Sequence, residues 1–412
     1  MITTTSLGPR LRQARELAGY SQQEAADVLG VAREVISYWE NDHRVPGLAQ
    51  VRRLAEAFGV SADFLLGAES EPVAAEEHAL LYRGLSSQSA QTKAGVRRWL
   101  TFLNDWATLL EDCGESLPGR QKPPKEWRAA AAITDSRQAP RLAERVRQEY
   151  HLGSKAIPDL LSFLDGQNVL VYRTALDRVG DGEGVSGAFY NHPQLGYCIL
   201  VNTNTTAGRQ TFTLAHEFAH ALFHYQERGL ISRAGDTDRK ESFADIFAAH
   251  FLIPGETLRH LVQRRPAHAI TSALEVISLQ RHFRVSYATT LNRLRSEGLL
   301  TLEQYEQYRR YSPSALAKQL GYDVDEYYPT NGVPKVSLAS YPNSVLQRIH
   351  ILVTTGELSP ASAADLLQVS QEEVLEELLA KPKLAQLRES EEFSELPQPG
   401  TPRLRSNASN NW

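Results

Sequence analysis

Cysteine and methionine are nearly missing from this chain: Cys113, Cys198 and Met1 are the only ones in 412 residues. Two distant cysteines exclude a disulfide framework and a C-x-x-C site, and they suit a reducing, cytoplasmic setting. The scarcity of methionine lowers oxidation liability, but codon bias accounts for it equally, and it carries no functional weight. Lysine is absent from residues 1–67, where 7 Arg face 8 Asp plus Glu, and the whole chain has a formal charge of −5. A global basic attraction to nucleic acid is thereby excluded, so any DNA contact must come from a local surface. The first residues, MITTTSLGPRLRQAR, lack an apolar leader core, and no apolar run reaches membrane-spanning length, so no membrane partner is expected. The remaining composition, 42% hydrophobic and 23% charged, suits two or three folded domains with a sizeable core.

What is present centres on Thr211 to Asp245. His216-Glu217-Phe218-Ala219-His220 lies in an apolar helical pattern made by Phe212, Leu214, Ala215, Ala219, Leu222 and Phe223. On a helix, His216 and His220 stand one turn apart on one face, where two imidazoles can grip one metal ion. Glu217 is rotated off that axis and is free to handle a proton instead of binding the ion. Zn²⁺ is the expected metal, with Mn²⁺ as the substitute, and a catalytic site needs a third protein ligand. Glu241 is the best candidate, opening a second helical run, Glu241-Ser-Phe-Ala-Asp245, that continues to Pro254. Asp245, one turn further on, is placed to accept the outer N–H of a ligating histidine. His224 is the rival third ligand, but it drifts off the ligand face and reads first as a packing or supporting residue. The long three-histidine pattern is excluded because position 226 is Gln. With 12 His in the chain, such a pair could be surface decoration. The strong helix around it and the E-x-x-x-D run after it argue for the metal.

Residues 7–67 read as five short helices. Ser21 caps the second, Gln22 to Leu29, with Glu24 completing a capping box. Gly30 makes a tight turn into a third, Ala32 to Trp39, with Val35, Ile36 and Trp39 inwards. The stretch Ser21-Gln-Gln-Glu-Ala-Ala through Ile36-Ser-Tyr-Trp-Glu-Asn41, with Arg44-Val-Pro46, resembles the XRE/Cro-type helix-turn-helix domains over about 60 residues. The resemblance implies a double-stranded DNA operator as partner. It places Arg33, Glu34, Ser37 and Tyr38 at the major groove and Gln22, Asn41 and Arg44 at phosphates. The weak local charge implies weak nonspecific affinity, to be made up by dimerisation or base contacts. A protein-binding module of the same fold is the alternative.

An acidic connector, Glu69 to Glu77, precedes a helical pattern over Ala90–Leu110. Its apolar face (Val96, Trp99, Leu100, Leu103, Trp106, Leu110) serves a homodimer or packs on the next domain. Pro118-Gly119 and Pro123-Pro124 mark a second linker. Two helices follow, Arg141–Tyr150 and Ile157–Leu164, then strands over 168–172, 187–190 and 197–202 with an Asn191-His192-Pro193 turn between the last two. The motifs Arg209-Gln-Thr-Phe-Thr-Leu-Ala-His216-Glu-Phe-Ala-His220, His224, Glu241-Ser-Phe-Ala-Asp-Ile-Phe-Ala-Ala and Leu252-Ile-Pro254 resemble the ImmA/IrrE metallopeptidases over roughly residues 139–256. Beyond Pro254 the chain reads as helical. Val276–Leu299, with Arg284-Val-Ser-Tyr287, looks like a degenerate second helix-turn-helix, and Val345–Leu379 repeats the flavour, both serving packing and partner recognition. The tail from Lys381 reads as disordered from its composition.

The expected fold is α+β and mostly α. Residues 1–68 form the helix-turn-helix bundle, 69–138 a linker with a long helix, and 139–256 a zincin-like unit with a small sheet. A helical domain (257–380) and a tail (381–412) follow. The resemblances imply a cytoplasmic DNA-binding regulator carrying a zinc endopeptidase that cuts an XRE-type repressor, in trans or within its own connector. The expected outcome is control of stress-response or mobile-element genes. A metal domain that only senses or scaffolds, or the antitoxin half of a toxin–antitoxin pair, are the alternatives. An intact Glu217 speaks against a purely structural metal.

Overall fold

The computed structural model describes residues 6–17, 20–58, 60, 62–67, 81, 85, 88–128, 135–179, 184–233, 235–236, 238–324 and 336–379. The acidic connector and the tail from Lys381 lie outside these residues.

Five helices open the chain: α1 Leu7–Leu17, α2 Gln22–Leu29, α3 Arg33–Glu40, α4 Leu48–Phe58 and α5 Ala62–Leu66. The Ser21 side chain accepts from Glu24 N–H while the Glu24 carboxylate receives Ser21 N–H, the reciprocal cap read from the sequence. Gly30 ends α2 at φ 68, a left-handed conformation that glycine adopts without a Cβ penalty. Leu11, Ala25, Ile36, Trp39, Leu54 and Phe58 close a core of their own. Within it Arg15 forms a hydrogen-bonded ion pair with Glu40, their side chains 10% and 2% exposed.

A four-stranded sheet carries the rest: β1 Leu170–Thr174, β2 Val185–His192, β3 Gly196–Asn202 and β4 Gly229–Arg233. The order is β1-β3-β2-β4, with β1 parallel to β3 and the other pairs antiparallel. Period-two alternation splits its side chains between two cores. Val171, Phe189, Ile199 and Val201 face the Ala207–Phe223 helix, whereas Tyr172, Tyr190, Cys198 and Leu200 face the Ala90–Asp112 helix. Burial on both faces explains why β3 is a continuous apolar run.

The apolar stripe of the Ala90–Asp112 helix is consumed inside the chain, against the sheet and the helices Asn343–Thr355 and Pro360–Leu367. The Pro118–Gly119 segment is tied to the β2–β3 hairpin: Gly119 N–H donates to Gln194, and Asn191 exchanges two hydrogen bonds with Gln121. Asn191 and His192 belong to β2, so the hairpin turn is Pro193–Leu195 and not the Asn-His-Pro stretch. A single apolar cluster runs from Ala139 through Ala317 and crosses position 256 without a break. Arg293 helps it cross, its guanidinium donating twice to the Ile253 carbonyl at 3.2 and 3.1 Å.

Candidate metal centre and nucleic-acid interface

Every residue from Thr213 to Phe223 is buried, and from Leu214 onward the metal-motif helix is apolar all round except at His216, Glu217 and His220. A partner helix, Arg239–Leu252, packs on it through aromatic rings: Phe223 meets Phe243 and Phe247 at 5.4 Å, and Phe218 meets Phe251 at 5.9 Å. Buried Arg147 caps the end of this partner, donating to the Phe251 carbonyl and, at 2.8 Å, to Gly153. Burial pushes its guanidinium down to about 10.

This packing brings together residues 25 positions apart. His216 Nε2 lies 3.1 Å from Glu241 Oε2, His220 Nε2 lies 3.2 Å from Glu241 Oε1, and the two Nε2 atoms are 3.1 Å apart. Bonds of about 2.0–2.1 Å to a tetrahedral zinc require ligand atoms about 3.3 Å apart, so this triangle has the right size for one face of the ion's shell. Among the described residues this is the one group of three or more potential ligands whose atoms converge so closely. A metal ion therefore fits the donor set.

The supporting contacts fix the rings. Asp245 Oδ1 lies 2.9 Å from His216 Nδ1, which with its proton there donates outwards and turns the Nε2 lone pair to the site. His224 meets His220 instead, their Nδ1 atoms 2.8 Å apart, and its ring packs on Phe243. Burial works against charge on His216, but the hydrogen bonds to Asp245 and Glu241 prevail and push it up to about 10. Burial carries His220 the other way, downwards, against the pull of Glu241. Burial alone would raise Glu241; both imidazoles together hold it well below the usual carboxylate range.

Glu217 differs from its neighbours. It is fully buried, and among the described residues neither carboxylate oxygen has a hydrogen-bond partner of normal geometry. Burial pushes it up to about 8, with His216 pulling back and the Ser232 hydroxyl tempering it a little. Gly187 on β2 makes its seat: a Cβ there would stand 2.7 Å from Glu217 Oε1, 2.6 Å from Thr213 Cγ2 and 2.9 Å from the Leu200 carbonyl. Sequence reasoning missed both contributors. The strand holding Ser232 had a faint signal, Leu230-Ile231 set between Gly229 and Gly235. The need for glycine at 187 had none.

The DNA-facing candidates are spread over one surface. Arg33, Glu34, Asn41 and Arg44 are exposed, Tyr38 is 44% exposed, and Ser37 is half-buried. Arg44 stacks over Tyr38 at 5.6 Å, and Asn41 donates to the Ser37 carbonyl at 2.8 Å. Gln22 is set apart, donating to buried Glu40 at 2.8 Å.

Two family descriptions match this chain: a helix-turn-helix over residues 11–65 and an IrrE N-terminal-like domain, of the M78 peptidases, over residues 178–295. The chain belongs to the XRE-type helix-turn-helix transcriptional regulators, DNA-binding proteins, and joins that unit to an ImmA/IrrE-like domain. Among its relatives is the HTH-type transcriptional regulator ImmR of Bacillus subtilis, 36% identical over 100 residues, which are 24% of this chain and 76% of ImmR. The SPbeta prophage-derived regulator YonR of the same organism is 42% identical over 59 residues, 14% of this chain and 55% of YonR. The regulator YazB is 34% identical over 58 residues, 14% of this chain and 84% of its own length. The IrrE-like match extends past residue 256 into the helices that share the site's core. Among the described residues no helix is long and apolar enough to cross a membrane.

Proposed function

We propose that this regulator is also a metal-dependent endopeptidase acting in the cytoplasm, with an XRE-type repressor as its substrate. The observation that carries the reading is Glu217, a buried carboxylate with no ordinary hydrogen-bond partner, beside three converging ligand atoms. A carboxylate left in that condition costs stability, which a general base repays in function. His216, His220 and Glu241 would hold Zn²⁺, or Mn²⁺ in its place, with Asp245 and His224 orienting the two rings. When bound, the ion supplies Lewis acidity toward the scissile carbonyl and makes a water molecule more acidic. Glu217 takes the proton of the attacking water and passes it to the leaving amine, a task suited to a carboxyl raised toward neutrality. Among the described residues β4 pairs with β2 alone, so its outer edge can hold an extended substrate segment by main-chain hydrogen bonds.

Arg33, Glu34, Ser37 and Tyr38 would read the operator, and Gln22, Asn41 and Arg44 would contact its phosphates. Cutting a separate repressor is favoured over cutting the connector, because Glu69–Glu77 is acidic and lacks an extended apolar segment for strand pairing. The domain plan that goes with this reading is a DNA-binding unit, a bridging helix, the metal unit and a helical C-terminal part. The test is incubation of wild type and Glu217→Gln with Zn²⁺ or Mn²⁺, alone and with a repressor encoded beside the gene, followed by fragment mapping by mass spectrometry. Fragments that depend on Glu217 are expected. None from either protein would leave the metal domain as a sensor or scaffold.

A further inference from the structure

The helix-turn-helix geometry of the N-terminal unit occurs again near the other end of the chain. α2, Gly30 and α3 span residues 22–40; Pro360–Leu367, Gln368 and the helical turns Gln371–Leu378 reproduce them at the same spacing. Ser21 and Ser359 cap the first helix of each pair, and the preceding helix ends at the equivalent residue, Leu17 or Thr355. The turn is left-handed in both, φ 68 at Gly30 and 52 at Gln368. Its hydrogen bonds correspond: Gly30 and Val31 donate to Asp27 and Ala26, and Gln368 and Val369 donate to Asp365 and Ala364. The sequences agree as well, Ala-Ala-Asp-Val-Leu-Gly-Val at 25–31 against Ala-Ala-Asp-Leu-Leu-Gln-Val at 363–369.

The reading helices share an exposed glutamate, Glu34 and Glu372, and differ at the other outward positions. Where α3 has Arg33, Ser37 and Tyr38, the C-terminal unit has Gln371, Leu375 and Glu376. No basic residue stands between 371 and 378, and Glu372, Glu376 and Glu377 are exposed without an ion pair among the described residues. Such a helix repels phosphates and cannot enter a groove. Leu375 on it is 47% exposed, and beside it a groove of about 450 Å³ is lined by Asn343, Leu346, Gln347, His350, Ile351 and Leu378. The N-terminal unit presents the counterpart, exposed Arg33 and Arg44 with Tyr38, Val45 and Leu48 bared beside them. Within one chain that unit is held elsewhere, by buried Lys93 on Glu24 at 2.9 Å and by Arg97 over Tyr20.

We propose that residues 343–378 are a second helix-turn-helix unit that binds protein, its acidic and apolar face seating the arginine-bearing reading face of a second copy of this chain in competition with DNA. The reading is independent of the metal site. It is tested by sedimentation velocity on the full chain, in a Glu217→Gln background to keep it intact. Salt-sensitive association at about 10 µM is expected. Glu372→Arg with Glu376→Arg should weaken it about tenfold, as should Arg33→Glu with Arg44→Glu. Mixing the two variants should restore association, which a folding defect in either would not do. Excess duplex DNA should dissolve the wild-type assembly. No association of the wild type, association untouched by either pair, or failure of the mixture to recover while circular dichroism shows both variants folded would each overturn the proposal. So would an assembly that survives saturating DNA.

Discussion

The candidate metal centre and the proposed DNA-reading face are both polar, yet they are built in opposite ways. At the first, His216, Glu217, His220, His224 and Glu241 are buried, only Asp245 reaches the surface, and each position depends on another: Asp245 on His216, His224 on His220, both imidazoles on Glu241. At the second, Arg33, Glu34, Asn41 and Arg44 stand in water with few partners. The lesson is one of coupling. Removing one member of a buried set strands the others, whereas removing one exposed side chain subtracts only its own contact.

The largest effect expected outside the metal site tests that distinction within the N-terminal unit itself, which also contains a buried pair. Glu40→Ala would strand the buried Arg15 and deprive Gln22 of its acceptor. It should cost about 3–5 kcal/mol in the unfolding of that unit, read by denaturant titration, and a loss below about 1 kcal/mol would break the comparison. Next, Gly187→Ala puts a methyl group against Thr213, Glu217 and the Leu200 carbonyl. Overpacking of this kind costs about 1–3 kcal/mol; activity should fall while metal content, set by other residues, holds. On the exposed side, Arg33→Ala should cost about 1–3 kcal/mol on a preferred operator, with thermal stability unchanged. Footprinting that finds no preferred sequence for the wild type would instead mark the unit as protein-binding.

The smallest effect concerns His250, which burial and then the charge of Arg293 push down to about 4. The unfolded chain takes up this proton first as pH falls through about 6.5, so its binding penalises the folded state increasingly from there to about pH 4. His250→Gln should flatten the loss of stability across that window. An unchanged acid profile would show that the site is wetter than its packing indicates.

Much of this was legible in the sequence where one local rule decides the outcome. The His216–His220 spacing is a property of a single helix, and Ser21, Glu24 and Gly30 specify both ends of α2. The place of Glu241 depends on which helix packs alongside, and the run of Phe243, Phe247 and Phe251 is what seats that helix on the metal-motif helix. The apolar stripe of the Ala90–Asp112 helix left two uses open, because a stripe does not name its partner; the sheet and the C-terminal helices take it up. The Asn191-His192-Pro193 stretch has the composition of a turn, but cross-strand pairing with Tyr197 and Gly196 keeps Asn191 and His192 in β2. β4 is short and half-exposed, and its existence depends on pairing with β2, which no local pattern announces.

The most direct test of the account is the zinc content of two purified variants beside wild type, by elemental analysis. Glu241 is assigned as a ligand and Glu217, also buried, as a base that does not touch the ion. Glu217→Gln should therefore retain the wild-type amount, about one ion per chain, and Glu241→Ala should lose it. Full occupancy in Glu241→Ala, or loss in a folded Glu217→Gln, would contradict the assignment.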